Sequence, residues 1–376
     1  MSVYLDNAAT TAVAPEVLES MIPVLRDSYG NPSSSHALGR KSRVIIEQNR
    51  RAIAKHLRCH AKTIYFTSGG TEADNLALRS AVRDLNCERI ITSAAEHSAV
   101  IKTAESLVRS EGIVLELVQH LPDGSVDLEH LTRLLTDGPK TLVSLMHANN
   151  EVAVLQDLDR IGSLCRAHGA LFHSDTVQTM AHYAFDLSKL PVDFITCSAH
   201  KFHGPKGIGF LYIAEGLKVG GQIEGGSQER AVRGGTENIH SIVGLATALE
   251  LAYRELEEHE RHIRGLKAQM VVGLKSMFSD LKFNGDSDDP SRLYTVLNVS
   301  FPPHPKNGMA LFLLDLEGIA CSGGSACSSG ATLGSHVLRA LQFHDQTRAS
   351  LRFSFGRYNT EGDIQEALAA IKRVFS

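Results

Sequence analysis

Several polar clusters sit directly after apolar, β-rich runs, and they carry most of the side chains able to do chemistry. In Thr196-Cys-Ser-Ala-His-Lys-Phe-His-Gly-Pro-Lys, Lys201 follows a buried run. Partial burial and nearby positive charge stabilise the neutral amine that a Schiff base with an aldehyde cofactor requires. Ser198 and His200 beside it can donate to a phosphate, although a lone lysine after a strand is commonly a solvated one. In Phe66-Thr-Ser-Gly-Gly-Thr-Glu-Ala-Asp-Asn, paired glycines lead from a strand into a helix. Gly70 and Thr71 thus have the makings of a phosphate cradle at a helix N-terminus. The spacing Thr71-x-x-Asp74 equally suits a capping box.

Leu171-Phe-His-Ser-Asp-Thr-Val-Gln places Asp175 just past another apolar strand. A carboxylate buried there needs a cationic partner, which a protonated pyridine nitrogen would be, with Gln178 in reach of a ring substituent. A helix N-cap is the ordinary alternative for Asp175. His97, in Glu96-His-Ser, follows a further strand and can stack on an aromatic cofactor and move protons near neutral pH. The chain has 18 histidines, so composition alone does not single this one out. Cys327 lies within Ala320-Cys-Ser-Gly-Gly-Ser-Ala-Cys-Ser-Ser-Gly, a run without hydrophobic periodicity that reads as a loop presenting a nucleophilic thiol. Its five-residue separation from Cys321 suits neither a zinc knuckle nor a C-x-x-C pair. Cys321, after the apolar Leu316-Glu-Gly-Ile-Ala run read as a strand, is expected to pack as a small hydrophobe. Near the C-terminus, Arg348, Ser350, Arg352 and Ser354 alternate onto one strand face, where an inward arginine can clamp a carboxylate or an outward one can rest in solvent.

The elements that must position these groups read as α/β. Thr63-Ile-Tyr-Phe, Arg89-Ile-Ile-Thr, Thr141-Leu-Val-Ser-Leu, Ala170-Leu-Phe-His and Phe194-Ile-Thr-Cys alternate with helical stretches, the pattern of a mostly parallel sheet. Ligands in such sheets bind beyond the strand C-terminal ends, where the clusters lie. A long helical stretch from 238 to Met277 follows, then a turn-rich segment at Asn284–Ser291 and a strand from Tyr294 to Phe301. The 376 residues, 43% hydrophobic, exceed one ordinary core, and two units are expected: 14–255, and 1–13 with 256–376 as a smaller α+β domain.

Composition narrows the partners. Net charge is -4 with no long block of one sign, so neither nucleic acid nor a membrane surface is indicated, and the substrate is expected to be small. No apolar run approaches the ~20 residues of a membrane span. The first residues carry no secretory signature, and six scattered cysteines do not form a disulfide framework, so a cytoplasmic setting is expected.

Taken in order, Leu5-Asp-Asn-Ala-Ala-Thr-Thr, Gly30-Asn-Pro-Ser-Ser-x-His, Thr67-Ser-Gly-Gly-Thr-Glu-Ala-Asp-Asn, Glu96-His, His147-x-Asn-Asn-Glu, Asp175-x-x-Gln, Ser198-x-His-Lys and Ser325-Ala-Cys327 resemble the group I (NifS/IscS-type) cysteine desulfurases. The resemblance spans nearly the whole chain and implies a pyridoxal 5'-phosphate (PLP) enzyme of fold type I, in the class V aminotransferase superfamily, acting as a homodimer. It implies that Lys201 holds PLP, that Gly70, Thr71, Ser198 and His200 bind its phosphate, and that Asp175 meets the pyridine nitrogen. By the same resemblance Gln178 meets the phenolic oxygen, His97 stacks on the ring, and Thr236 reaches the phosphate of the neighbouring subunit. Asn150 and Arg352 match the positions that receive the substrate carboxylate. The implied reaction converts L-cysteine to L-alanine and leaves a persulfide on Cys327, with His97 or Lys201 moving protons. The persulfide would pass to an acceptor protein such as an iron-sulfur scaffold, with transient iron-sulfur contact at Cys327 and no resident metal. A selenocysteine lyase or another class V PLP lyase or aminotransferase is the neighbouring alternative. The segment after Cys327 lacks the Glu-Pro usual in housekeeping members, and the sequence ends at Val374-Phe-Ser without their longer tail. Both departures bear on the acceptor rather than on the PLP residues.

Overall fold

The computed structural model describes residues 2–323 and 335–376; Cys327 lies outside them. Seven strands form the principal sheet: β2 (Ile64–Thr67), β3 (Arg89–Ser93), β4 (Val114–Val118), β5 (Thr141–Ser144), β6 (Leu171–Asp175), β7 (Phe194–Ser198) and β8 (Gly209–Ile213). Their order is β2-β8-β7-β6-β5-β3-β4, with β8 antiparallel to both of its neighbours and every other pairing parallel. Strands β3, β5, β7 and β8 are buried at every residue, as expected of a sheet covered on both faces. One face is covered by α1 (Pro15–Asp27), α2 (Ala37–His56), α5 (Leu128–Thr136), α6 (Leu158–Ala167) and α7 (Ile239–Arg254). The other is covered by α3 (Gly70–Arg83) and α4 (Ser98–Glu111). The five strands read from sequence are all present; β4 and the antiparallel β8 complete the sheet.

A second core gathers residues from both ends of the chain. β9 (Lys282–Phe283), β10 (Val296–Ser300), β12 (Ser322–Gly323) and β13 (Ser350–Ser354) form a sheet of order β12-β13-β10-β9. The helices α8 (Leu256–Met277), α9 (Ala310–Leu316) and α11 (Glu361–Val374) pack on it, while α10 (His336–Ala340) joins a small cluster with Val152 and Val154. β1 (Val3–Tyr4) pairs in parallel with β11 (Ile319–Ala320), and Val3 and Leu5 are buried in this core.

Two sequence expectations are corrected here. The helical stretch from 238 to 277 is two helices, because Glu255 (φ -109°, ψ 15°) leaves helical geometry and its carboxylate is held by Arg357 at 2.7 Å. Leu316-Glu-Gly-Ile-Ala is not a strand: α9 ends at Leu316, Gly318 turns at φ +81°, and only Ile319 and Ala320 pair. Among the described residues no helix is long and apolar enough to cross a membrane.

Near the sheet edge, Glu229, Arg230 and Ala231 occupy left-handed backbone at φ 45°, 57° and 63°. Each such residue costs about 1–3 kcal/mol and persists only where its surroundings enforce it. The enforcing contact is the ion pair between Glu229 and Arg50, two-pronged at 2.7 and 2.8 Å, with both side chains buried. Glu229 also accepts the Phe66 N-H at 2.9 Å. Glu229→Ala leaves the buried Arg50 guanidinium with only the half-exposed Glu47, at 3.1 Å from Nε, and is expected to lower the unfolding free energy by about 3 kcal/mol. Urea denaturation measures this, and a loss below about 1 kcal/mol counts against the assignment.

Candidate active site

The C-terminal ends of β2, β3, β5, β6 and β7 lie at one edge of the sheet, and the loops leaving them enclose a cleft of about 410 Å3. Ten residues singled out in sequence line it: Gly70, Thr71, His97, Asn150, Asp175, Gln178, Ser198, His200, Lys201 and Arg352. Thr236 does not; it lies on an exposed loop ahead of α7. Cys321 is half-buried against the second core.

At one end of the cleft α3 begins at Gly70, and its first N-H groups have no intrahelical acceptors. Gly69 adopts φ +152°, and a Cβ on Gly70 would come within 2.8 Å of Val177. Glycine at these two positions brings bare backbone to the cleft beside the Ser198 hydroxyl. No side chain caps α3, so the capping-box alternative for Thr71 does not hold. The result is an anion cradle built from a helix N-terminus, with Ser198, His200 and Lys201 around it.

Opposite the cradle, Asp175 is buried at the end of β6. No helix follows it, so it is not an N-cap; Oδ1 accepts the Val177 N-H at 2.9 Å. Burial, reinforced by the neighbouring Asp74 carboxyl, pushes its pKa up to about 6. A carboxylate in that state is stabilised by a cation set against it.

Lys201 Nζ donates to the carbonyls of Ala8 and Ala9, the latter at 2.9 Å, and the Gln178 amide also donates to Ala8 O at 3.0 Å. Burial first, then the Arg352 charge, lowers the lysine to about 8. A substantial neutral fraction is therefore present near physiological pH, as a nucleophilic amine requires. Burial, then Lys201 and Lys206, holds His200 down at about 4, so it serves as a neutral hydrogen-bonding group.

His97 caps α4, its Nδ1 accepting from the Ala99 N-H at 3.2 Å, which leaves Nε2 toward the cleft. Two contacts fix this loop against the β5 end: Glu96 Oε1 accepts the Met146 N-H at 2.8 Å, and Asn149 donates to Ala95 O at 2.9 Å. Arg352 arrives from β13, which is interior to its sheet, so the arginine is buried rather than solvated. Nη1 donates to Asn150 O at 2.9 Å, while Nη2 meets Asp6 at 2.8 Å and Ser322 Oγ at 3.1 Å. Its Nε is buried with no hydrogen-bond partner among the described residues.

Asp6, His173 and Ser322 carry no distinguishing signal in the sequence, and Asp74 reads there only as a capping-box acid, because the partners of Asp6 and Asp74 lie far along the chain. The one signal available for Asp6 is its acidity in the otherwise neutral Leu5-Asp-Asn-Ala-Ala-Thr-Thr.

The Aminotransferase class-V profile matches residues 3–367. The chain belongs to that family. A curated member, the cysteine desulfurase IscS of Clostridium botulinum (strain Hall), is 38% identical over 376 residues, covering 99% of this chain and 94% of its own. A solved NifS-like protein superposes with a TM-score of 0.90 at 36% identity, covering 100% of this chain and 99% of the other. SspA, solved in complex with cysteine, superposes at 0.81 with 29% identity over 96% of this chain and all of the other. The large sheet with its flanking helices is accordingly a PLP fold-type I architecture.

The Lys201 amine gives a direct test of the site's electrostatics. After hydroxylamine treatment to clear any bound aldehyde, its reaction with a small aromatic aldehyde, trapped by borohydride, should reach half its maximum near pH 8. Arg352→Gln removes a charge that disfavours the ammonium and should move that midpoint upward. A wild-type midpoint at the ordinary lysine value of 10.5 contradicts the geometry.

Proposed function

We infer that the protein is a PLP-dependent cysteine desulfurase, which takes sulfur from L-cysteine, releases L-alanine and carries the sulfur as a persulfide on Cys327. The observation that carries this reading is the convergence of Lys201, Asp175 and the glycine cradle of α3 on one cleft, in a chain related along its full length to IscS desulfurases. The cleft fits the cofactor chemically: an anion cradle at one end, a buried carboxylate wanting a cation at the other, and a depressed lysine between. PLP, when bound, supplies an electron sink for the substrate α-carbon.

Lys201 would hold the cofactor covalently, and Gly70, Thr71, Ser198 and His200 would receive its phosphate. Asp175 would meet the ring nitrogen, Gln178 the ring oxygen, and His97 would stack on the ring. Arg352 and Asn150 would take the substrate carboxylate. The Cys327 thiolate attacks the substrate sulfur, so an S-S bond forms as the Cβ-S bond breaks. The electron pair stays on Cβ, which is protonated to the methyl group of alanine. Carbon is reduced as sulfur is oxidised, and no outside oxidant is needed. His97 or Lys201 transfers the protons.

A homodimer is part of this reading. It is supported by the exposed position of Thr236, outside its own cleft, and by Leu18, Ile22 and Leu25, exposed apolar side chains at helical spacing on α1. Thr236 would complete the phosphate site of the second copy. The two cores support a division into a large unit, 14–255, and a small unit, 1–13 with 256–376. The sulfur acceptor is proposed to be a protein such as an iron-sulfur scaffold, in the cytoplasm.

Incubation with L-cysteine in a single turnover should yield alanine and Cys327 persulfide in equal amounts, read by amino-acid analysis and mass spectrometry. Cys327→Ala should lower alanine formation at least about 100-fold while the visible absorbance of the bound cofactor is retained. Full activity in that variant sinks the role of Cys327. Lys201→Ala should abolish the lysine-linked absorbance, and a spectrum unchanged by this substitution excludes Lys201 as the attachment point.

A further inference from the structure

Behind Asp175 lies a second carboxyl whose surroundings are already saturated. Asp74 projects from α3 toward β6 and β7, is 1% exposed, and lines the inner wall of the cleft. Side-chain oxygens of Asp74 and Asp175 and a ring nitrogen of His97 lie within 4.8 Å of one another. Asp74 Oδ1 has no hydrogen-bond partner.

Its polar neighbours have nearer partners. His173, fully buried on β6, has Ser144 Oγ 2.8 Å from Nδ1 and Thr196 Oγ1 3.1 Å from Nε2. Burial holds His173 down at about 4, so the ring is neutral and carries one hydrogen. His173 Nε2 lies 3.5 Å from Asp74 Oδ1, farther than from Thr196 Oγ1, and no hydrogen bond reaches Asp74 Oδ1 among the described residues. The Thr196 hydroxyl favours the charged form of Asp74, but burial outweighs it. An ionised Asp74 would therefore leave a buried anionic oxygen with no donor. A protonated one supplies its own hydrogen.

Asp175 stands differently. It accepts a backbone N-H and faces the positive charge of Lys201 and the ring of His97. Glu96, the other buried acid nearby, is itself pushed well up by burial, with both aspartates adding to the shift. Of the two, the negative charge belongs on Asp175.

We propose that Asp74 is a positioning residue: it holds a proton beside Asp175, so that Asp175 alone turns negative charge toward a cationic ring nitrogen in the cleft. This rests on the reading of the cleft as the PLP site, but the proton on Asp74 is a property of the protein itself.

Infrared spectroscopy tests it on the cofactor-loaded protein at neutral pH. Protein labelled with [4-13C]aspartate should show a carboxylic-acid C=O stretch that moves with the label, whereas a band from Glu96 does not move. Asp74→Asn should abolish the aspartyl band. Thr196→Val, which removes the hydroxyl donor, should shift it to higher frequency, and this variant identifies the band should Asp74→Asn not fold. No aspartyl acid band in the labelled wild type, a band that survives Asp74→Asn, or one indifferent to Thr196→Val overturns the proposal. The visible spectrum of the same samples reports the cofactor separately: an absent cofactor band with the acid band present defeats the PLP reading and leaves the proton on Asp74 standing.

Discussion

Charge held out of water at the end of β6 is the constraint around which this molecule is arranged. Asp175 is buried where the sheet's parallel strands terminate, with one backbone donor and with the Asp74 carboxyl close enough to disfavour its ionisation. A fold tolerates such a group when a cation is provided for it. Nearly everything else at the cleft follows from that need. The sheet must be covered on both faces to keep the strand ends dry, and the loops must converge to present Lys201 and His97 without sealing the site.

Polarity in the cleft is graded along its length. The α3 N-terminus, Ser198 and His200 favour negative charge at one end, and Asp175 favours positive charge at the other. A ligand that is anionic at one end and cationic at the other has one favourable orientation. Lys201 sits between, its ammonium disfavoured by burial and by Arg352 and only partly compensated by two carbonyls from the N-terminal segment. The pKa displacements of Asp175 and Lys201 run in opposite directions for one reason, since desolvation penalises the charged form of each.

Much of this arrangement was legible before any coordinates. The strands that lead to His97, Asp175 and Lys201 each carry an adjacent apolar pair, Ile90-Ile91, Leu171-Phe172 and Phe194-Ile195, and a polar cluster after each marks the binding edge of a parallel sheet. β4 was missed because its residues are mostly solvent-facing or half-buried, and β8 because its antiparallel direction has no local signature. Glu255 broke a helix that periodicity reads as one, because the break is made by a contact with Arg357, 102 residues away. The Asp6–Arg352 pair spans 346 residues and Asn7 reaches Ser354 across 347. Such pairings are tertiary facts. A single sequence offers an aspartate and an arginine, and nothing in either neighbourhood says that they meet.

That same N-terminal segment ties synthesis to function. Asp6 can pair only once Arg352, 346 residues further along, has been made, roughly 17–70 s later at ordinary elongation rates. Until then the carbonyls that hold Lys201 have no anchor in the second core, and the arginine facing the cleft does not exist. A nascent chain can therefore fold its principal sheet on the ribosome without becoming competent to bind.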